Sequence, residues 1–183
     1  MGKTLSETDL LERFSRHAEV AISECKNACK DDDFRAYSLQ YQPIVDTFSE
    51  MTKQGWNEDR VRIGALLVYG WMPTIPRFES FQDRGHFKIS EIADRLNSRA
   101  DDWSDNWCRW LNNSPTGTSK FLHFWRPNKF AIWDQRVAKA LGVGYRVREP
   151  KIVELYQRWI TSFRFEKISI REIEVALFLK GKT

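Results

Sequence analysis

Apolar residues recur at three- and four-residue spacing along almost the whole chain, and no stretch alternates as a half-buried strand does. That period points to one fold class, an all-α bundle of about eight or nine helices in a single domain. Residues 1–56 are expected to form an N-terminal helical part and 57–183 the main core.

Local start and stop signals divide the chain. Ser6 and Asp9 open a first amphipathic helix that runs to Cys29, with Leu10, Leu11, Phe14, His17, Ala18, Ala21, Ile22 and Cys25 recurring at three- and four-residue spacing. Pro43 is expected at the first turn of a helix that ends at Gly55, and Asn57 caps the next. That helix is apolar nearly all round through Val61, Ile63, Ala65, Leu66, Leu67 and Val68, the pattern of a buried central helix. A long loop follows Gly70, and long loops inside a domain are often functional. It carries Trp71, Arg77, Phe78, Phe81, Arg84 and His86, which suit the wall of a pocket or an aromatic plug over the core. Ser90 caps a further helix, and Trp103, Trp107 and Trp110 share one face of another, more in keeping with core than with a stacking surface. Val143 to Arg148 reads as a short, extended connection. Pro150 and Ser169 open the last two helices, and Gly181 closes the chain's final one.

Composition narrows the partners. The net charge of +4 conceals two unequal halves. From Gly117 onward there are 14 Lys/Arg against 6 Asp/Glu, and before it 15 against 19. A basic half directs its field at anions, of which nucleic acid is the commonest large one; a solvated helical surface explains the same charge equally well. The 8 tryptophans and 12 phenylalanines serve either an aromatic core or a pocket for a flat ligand. Three cysteines are too few and too odd in number for a disulfide framework, and three histidines give no metal-ligand cluster. No segment approaches the roughly 20 apolar residues of a membrane span. These features fit a cytoplasmic protein, nucleoid-associated if bacterial, with no metal and no cofactor.

The chemistry concentrates between Gly117 and Leu141, GTSKFLHFWRPNKFAIWDQRVAKAL. Thr116, Thr118 and Ser119 crowd the approach to Lys120, which is expected at a helix N-terminus, where hydroxyls and unpaired N–H groups can hold a phosphate. The positive end of a helix disfavours an ammonium and makes its amine more nucleophilic. After the Pro127–Asn128 turn, Asp134 stands at the start of another helix. It can cap that helix, or face a cleft and stabilise a cation.

Gly117-Thr118-Ser119-Lys120 together with Ile132-Trp133-Asp134-Gln135-Arg136-Val137 resembles the helix-hairpin-helix DNA glycosylases of the 8-oxoguanine type. The chain resembles a divergent member. A single glycine replaces the family's Leu-Pro-Gly-Val-Gly hairpin, the Lys-to-Asp spacing is shorter, and the four-cysteine cluster of the iron–sulfur branch is missing. The resemblance implies a DNA N-glycosylase, with or without AP-lyase activity, acting on a damaged or modified purine flipped from double-stranded DNA. Lys120 would attack the sugar and Asp134 would stabilise its developing positive charge. Gly117, Thr118, Ser119, Arg126 and Arg136 would contact phosphates, and Trp71, Phe78, Phe81, His86 and Trp133 would wall the base pocket. Two other readings share the helical frame: a DNA-binding module without chemistry, in repair or in defence against foreign DNA, and a helical protein-interaction domain.

Overall fold

The structure, a computed structural model, describes residues 6–25, 32–71, 88–99, 110–111, 113–163 and 168–182. Eight α-helices and no strand occur among them: α1 Glu7–Cys25, α2 Asp32–Lys53, α3 Glu58–Gly70, α4 Ile89–Asn97, α5 Pro115–Trp125, α6 Gln135–Ala140, α7 Pro150–Ser162 and α8 Ile170–Lys180. The all-α expectation holds. No described helix is long and apolar enough to cross a membrane.

Most boundaries follow from short-range capping. Ser6 N–H donates to Asp9 Oδ2 at 3.0 Å and Asp9 N–H returns to Ser6 Oγ at 3.2 Å. Asn57 Oδ1 accepts from Arg60 N–H at 2.9 Å, and Ser169 Oγ from Glu172 N–H at 3.3 Å. Each satisfies a donor that the helix start leaves open. Gly55 and Gly142 take positive φ, +78° and +72°, where a side chain would be strained, and so terminate α2 and α6.

Five expectations are corrected. Pro43 lies inside α2 rather than at its start. Its ring removes the donor for the Leu39 carbonyl. Leu39 is 73% exposed, so water can replace that donor. The start of α4 falls ahead of Ser90, where Lys88 N–H donates to Glu91 Oε2 at 3.0 Å. In α3 only one face is buried, through Val61, Gly64, Ala65, Val68 and Tyr69, whereas Ile63 and Leu66 are about half exposed. Residues 144–146 form a single 3-10 turn instead of an extended link. The start of α5 lies at Pro115, so Lys120 is more than one turn inside the helix. The Arg77, Phe78, Phe81, Arg84, His86, Trp103 and Trp107 expectations lie outside the described residues.

The helices pack as two groups. One is α1, α6, α7 and α8, with α1 laid along α8 and α6 against α8. The other is α2, α3, α4 and α5, with α5 packed on α2 and α3. Aromatic rings fill the second group: Phe121 meets Phe48 at 5.0 Å and Trp110 at 4.7 Å, both edge to face. Each such fully buried side chain stabilises by roughly 1.5–3 kcal/mol relative to exposure. Two glycines allow close approach. A Cβ on Gly117 would stand 2.7 Å from the Tyr69 hydroxyl, and one on Gly181 would overlap the Arg136 carbonyl. The chain passes from one group to the other along Arg126–Asp134. This crossing strap positions the candidate site.

Candidate functional site

Phe130, Ala131, Ile132 and Trp133 are all buried, yet they lie in no helix or strand. A buried backbone without a ladder must find other partners for its N–H and C=O groups. Here side chains supply them. His123 Nδ1 meets the Phe130 carbonyl at 2.8 Å. Gln157 brackets Ala131, accepting from its N–H at 2.9 Å and donating to its carbonyl at 2.7 Å. Ile132 N–H donates to Glu174 Oε1, and Tyr156 Oη donates to the Ile132 carbonyl at 3.2 Å. Trp133 N–H donates to Ser119 Oγ at 2.9 Å. The holders come from α5, α7 and α8, so the strap is locked into both helix groups. They are also buried: Ser119 and His123 completely, Tyr156 completely, Gln157 and Glu174 nearly so.

A second layer supports these holders. Tyr41 Oη and His123 Nε2 lie 2.8 Å apart. His123 Nδ1 faces the Phe130 carbonyl and Glu174 Oε1, both acceptors, and therefore carries a proton; in the neutral ring the Tyr41 hydroxyl donates to Nε2. Arg171 Nη1 reaches Glu174 Oε2 at 3.3 Å, and its guanidinium lies 4.2 Å from the Tyr41 ring centroid. Burial pushes the Tyr41 hydroxyl up to about 12, with Glu174 acting in the same direction and Arg171 against it. Burial likewise raises Tyr156 well above its usual range. Since Tyr41 ionises near 10.0 when unfolded, its contribution to stability is full below pH 10 and is lost as pH rises towards 12. Urea midpoints are expected to fall over that window, and to fall less steeply in Tyr41→Phe.

The strap ends at Asp134, which caps α6. Its Oδ1 accepts the N–H groups of Arg136 and Val137, each at 2.9 Å. Such a cap contributes about 1 kcal/mol. Lys120 sits on α5 beside it, half-buried, with Nζ 5.3 Å from the Trp71 ring centroid. Burial pulls the Lys120 ammonium below its usual range, the Asp134 carboxylate opposes this, and Arg136 adds to it. The lowering arises from desolvation rather than from the helix end. Trp71 packs edge-on against Phe124 at 5.2 Å, making an aromatic wall beside the amine. Arg136 extends over the Phe178 ring at 4.5 Å, and its Nη1 is buried with no hydrogen-bond partner.

Lys120, Asp134, Arg136 and Trp71 are thus brought together, and other expected site residues are not. Gly117, Thr118 and Ser119 are corrected as phosphate contacts. They are buried, Gly117 N–H donates to Ser114 Oγ at 3.2 Å, and Thr118 N–H to the Ser114 carbonyl at 2.9 Å. The Thr118 hydroxyl accepts from Leu111 N–H at 3.2 Å. Trp133 is corrected as a pocket wall: it is wholly buried against Tyr156, and its Nε1–H donates to the Val147 carbonyl at 2.7 Å. Arg126 caps the far end of α5, with its guanidinium 5.4 Å from the Trp125 ring centroid. The residues missed were the strap holders Gln157, Glu174, His123 and Tyr156. A signal existed: Glu174 and Gln157 occupy core-facing positions among Ile173 and Leu177, and among Val153 and Ile160. Among the described residues no group of three His, Cys, Asp or Glu side chains can hold a metal ion.

No known protein family, curated protein or solved structure matches the chain.

Proposed function

We propose that the chain is a DNA N-glycosylase with a helix-hairpin-helix glycosylase-like fold, acting on a damaged or modified purine such as 8-oxoguanine turned out of duplex DNA. The observation that carries this reading is Lys120: a lysine whose ammonium is disfavoured by burial, beside a helix-capping carboxylate and a tryptophan ring. A neutral amine is a nucleophile. As the bond between base and sugar breaks, its electron pair leaves with the base and positive charge develops on the sugar. The Asp134 carboxylate stabilises that charge, and the Lys120 nitrogen forms a new bond to C1′. Loss of its proton and opening of the sugar ring then give a Schiff base. Trp71 offers a stacking face to an extruded base, and the positive charge of Arg136 favours a backbone phosphate nearby. The basic balance from Gly117 onward supports a polyanionic partner.

A second reading, a DNA-binding module without chemistry, is favoured by one observation: Asp134 Oδ1 is already engaged by two N–H groups of α6. Borohydride trapping separates the two. Incubation with duplexes holding 8-oxoguanine or an abasic site, followed by borohydride, is expected to yield a covalent band absent in Lys120→Gln. Salt-sensitive binding with neither a band nor base release would leave the binding module. Base release without a band would indicate a glycosylase that uses water as its nucleophile.

A further inference from the structure

The strap brings one hydroxyl to a position that links the two site residues. Ser119 immediately precedes Lys120, and Trp133 immediately precedes Asp134. Trp133 N–H donates to Ser119 Oγ at 2.9 Å, and the same oxygen lies 3.2 Å from the Trp133 carbonyl and 3.0 Å from the Thr116 carbonyl. We propose that Ser119 is a positioning residue, whose hydroxyl sets the separation of the Lys120 amine and the Asp134 carboxylate by tying the backbone beside one to the backbone beside the other.

Three features carry this. Ser119 has no exposed surface, so water does not compete for its bonds. A hydroxyl can donate once while accepting, which lets a single side chain receive the Trp133 N–H and still satisfy a carbonyl. The strap bonds to Glu174, Tyr156 and Gln157 come from α8 and α7, and the other bond from α5, His123 to the Phe130 carbonyl, meets the strap four residues before Asp134. Of the two α5 side chains that hold the strap, Ser119 is the one that bonds the residue adjacent to Asp134, and so ties that helix's position most directly to the carboxylate. Packing explains a small residue here, but packing does not require the hydroxyl. Alanine would fit and would leave the Trp133 N–H buried and unpaired.

The proposal rests on the reading of Lys120 and Asp134 as partners, and its test needs no reaction. In protein labelled with 13C-lysine, the Lys120 side-chain signal is assigned by its loss in Lys120→Arg and titrated. Asp134 holds the Lys120 midpoint up against burial and Arg136, so a displaced Asp134 lets it fall. Ser119→Ala and Ser119→Cys are expected to shift the midpoint downward in the wild-type background and to add no shift in Asp134→Asn. Asn97→Ala serves as a stability control, since Asn97 only brackets the Trp56 backbone, at 2.7 and 2.8 Å. It is expected to lower the melting temperature with the midpoint unmoved. An unchanged or raised midpoint in the folded Ser119 variants, or a shift that persists in Asp134→Asn, overturns the proposal. If the alanine variant does not fold, the near-isosteric cysteine variant decides. Failure of the glycosylase reading would appear separately, as absent trapping with the titration result intact.

Discussion

Glu174→Ala is expected to destabilise the protein by about 3–5 kcal/mol, the cost of removing one partner from a buried charged cluster. The carboxylate is 2% exposed and serves three neighbours. Oε1 accepts the Ile132 N–H and stands 3.2 Å from His123 Nδ1, and Oε2 lies 3.3 Å from Arg171 Nη1. Alanine supplies no acceptor to any of them. It leaves a buried N–H unpaired in the middle of the strap and a guanidinium without its carboxylate. Glu174→Gln keeps one acceptor oxygen for Ile132 and is expected to cost clearly less. Urea denaturation of the two variants checks both size and order. A loss below about 1 kcal/mol for the alanine variant would mean that water replaces the carboxylate, and that the strap does not depend on it.

Lys120→Met is expected to act in the opposite direction, raising stability by about 1 kcal/mol, or roughly 2–4 °C in melting temperature, while abolishing borohydride trapping. Two attractions favour the ammonium: the Asp134 carboxylate and the Trp71 ring at 5.3 Å. Desolvation opposes them and is the largest influence on the group. Because the folded-state pKa lies below the ordinary 10.5, the unfolded chain binds the proton more tightly. The resulting penalty is full below the folded pKa and is relieved as pH rises towards 10.5. Methionine has similar length and no charge, so it removes that penalty and keeps the contact with Trp71. Differential scanning calorimetry at neutral pH is the check. A lower melting temperature would show that the Asp134 and Trp71 contacts outweigh desolvation, and that Lys120 serves the fold rather than a reaction.

These two residues differ in how they could be found. Lys120 and Asp134 attract notice in the linear sequence because charged side chains punctuate an aromatic run near a Pro-Asn turn. Glu174 does not, because one carboxylate on an otherwise apolar helix face resembles an ordinary break in periodicity. The strap itself, Phe130 to Trp133, reads only as apolar chain between a turn and a helix.

The all-α class and most helix ends were legible in local pattern. Ser6 with Asp9, Asn57, Asp134 and Ser169 act on N–H groups two or three residues away, and such contacts form wherever the local chain permits them. Tertiary structure alone decided that Pro43 sits within a helix, that Thr118 and Ser119 face inward, and that five buried side chains replace a ladder for the strap. The partners of those bonds lie up to 42 residues apart in sequence. No local pattern encodes them, because their favourable energy appears only after the two helix groups have closed and water has left.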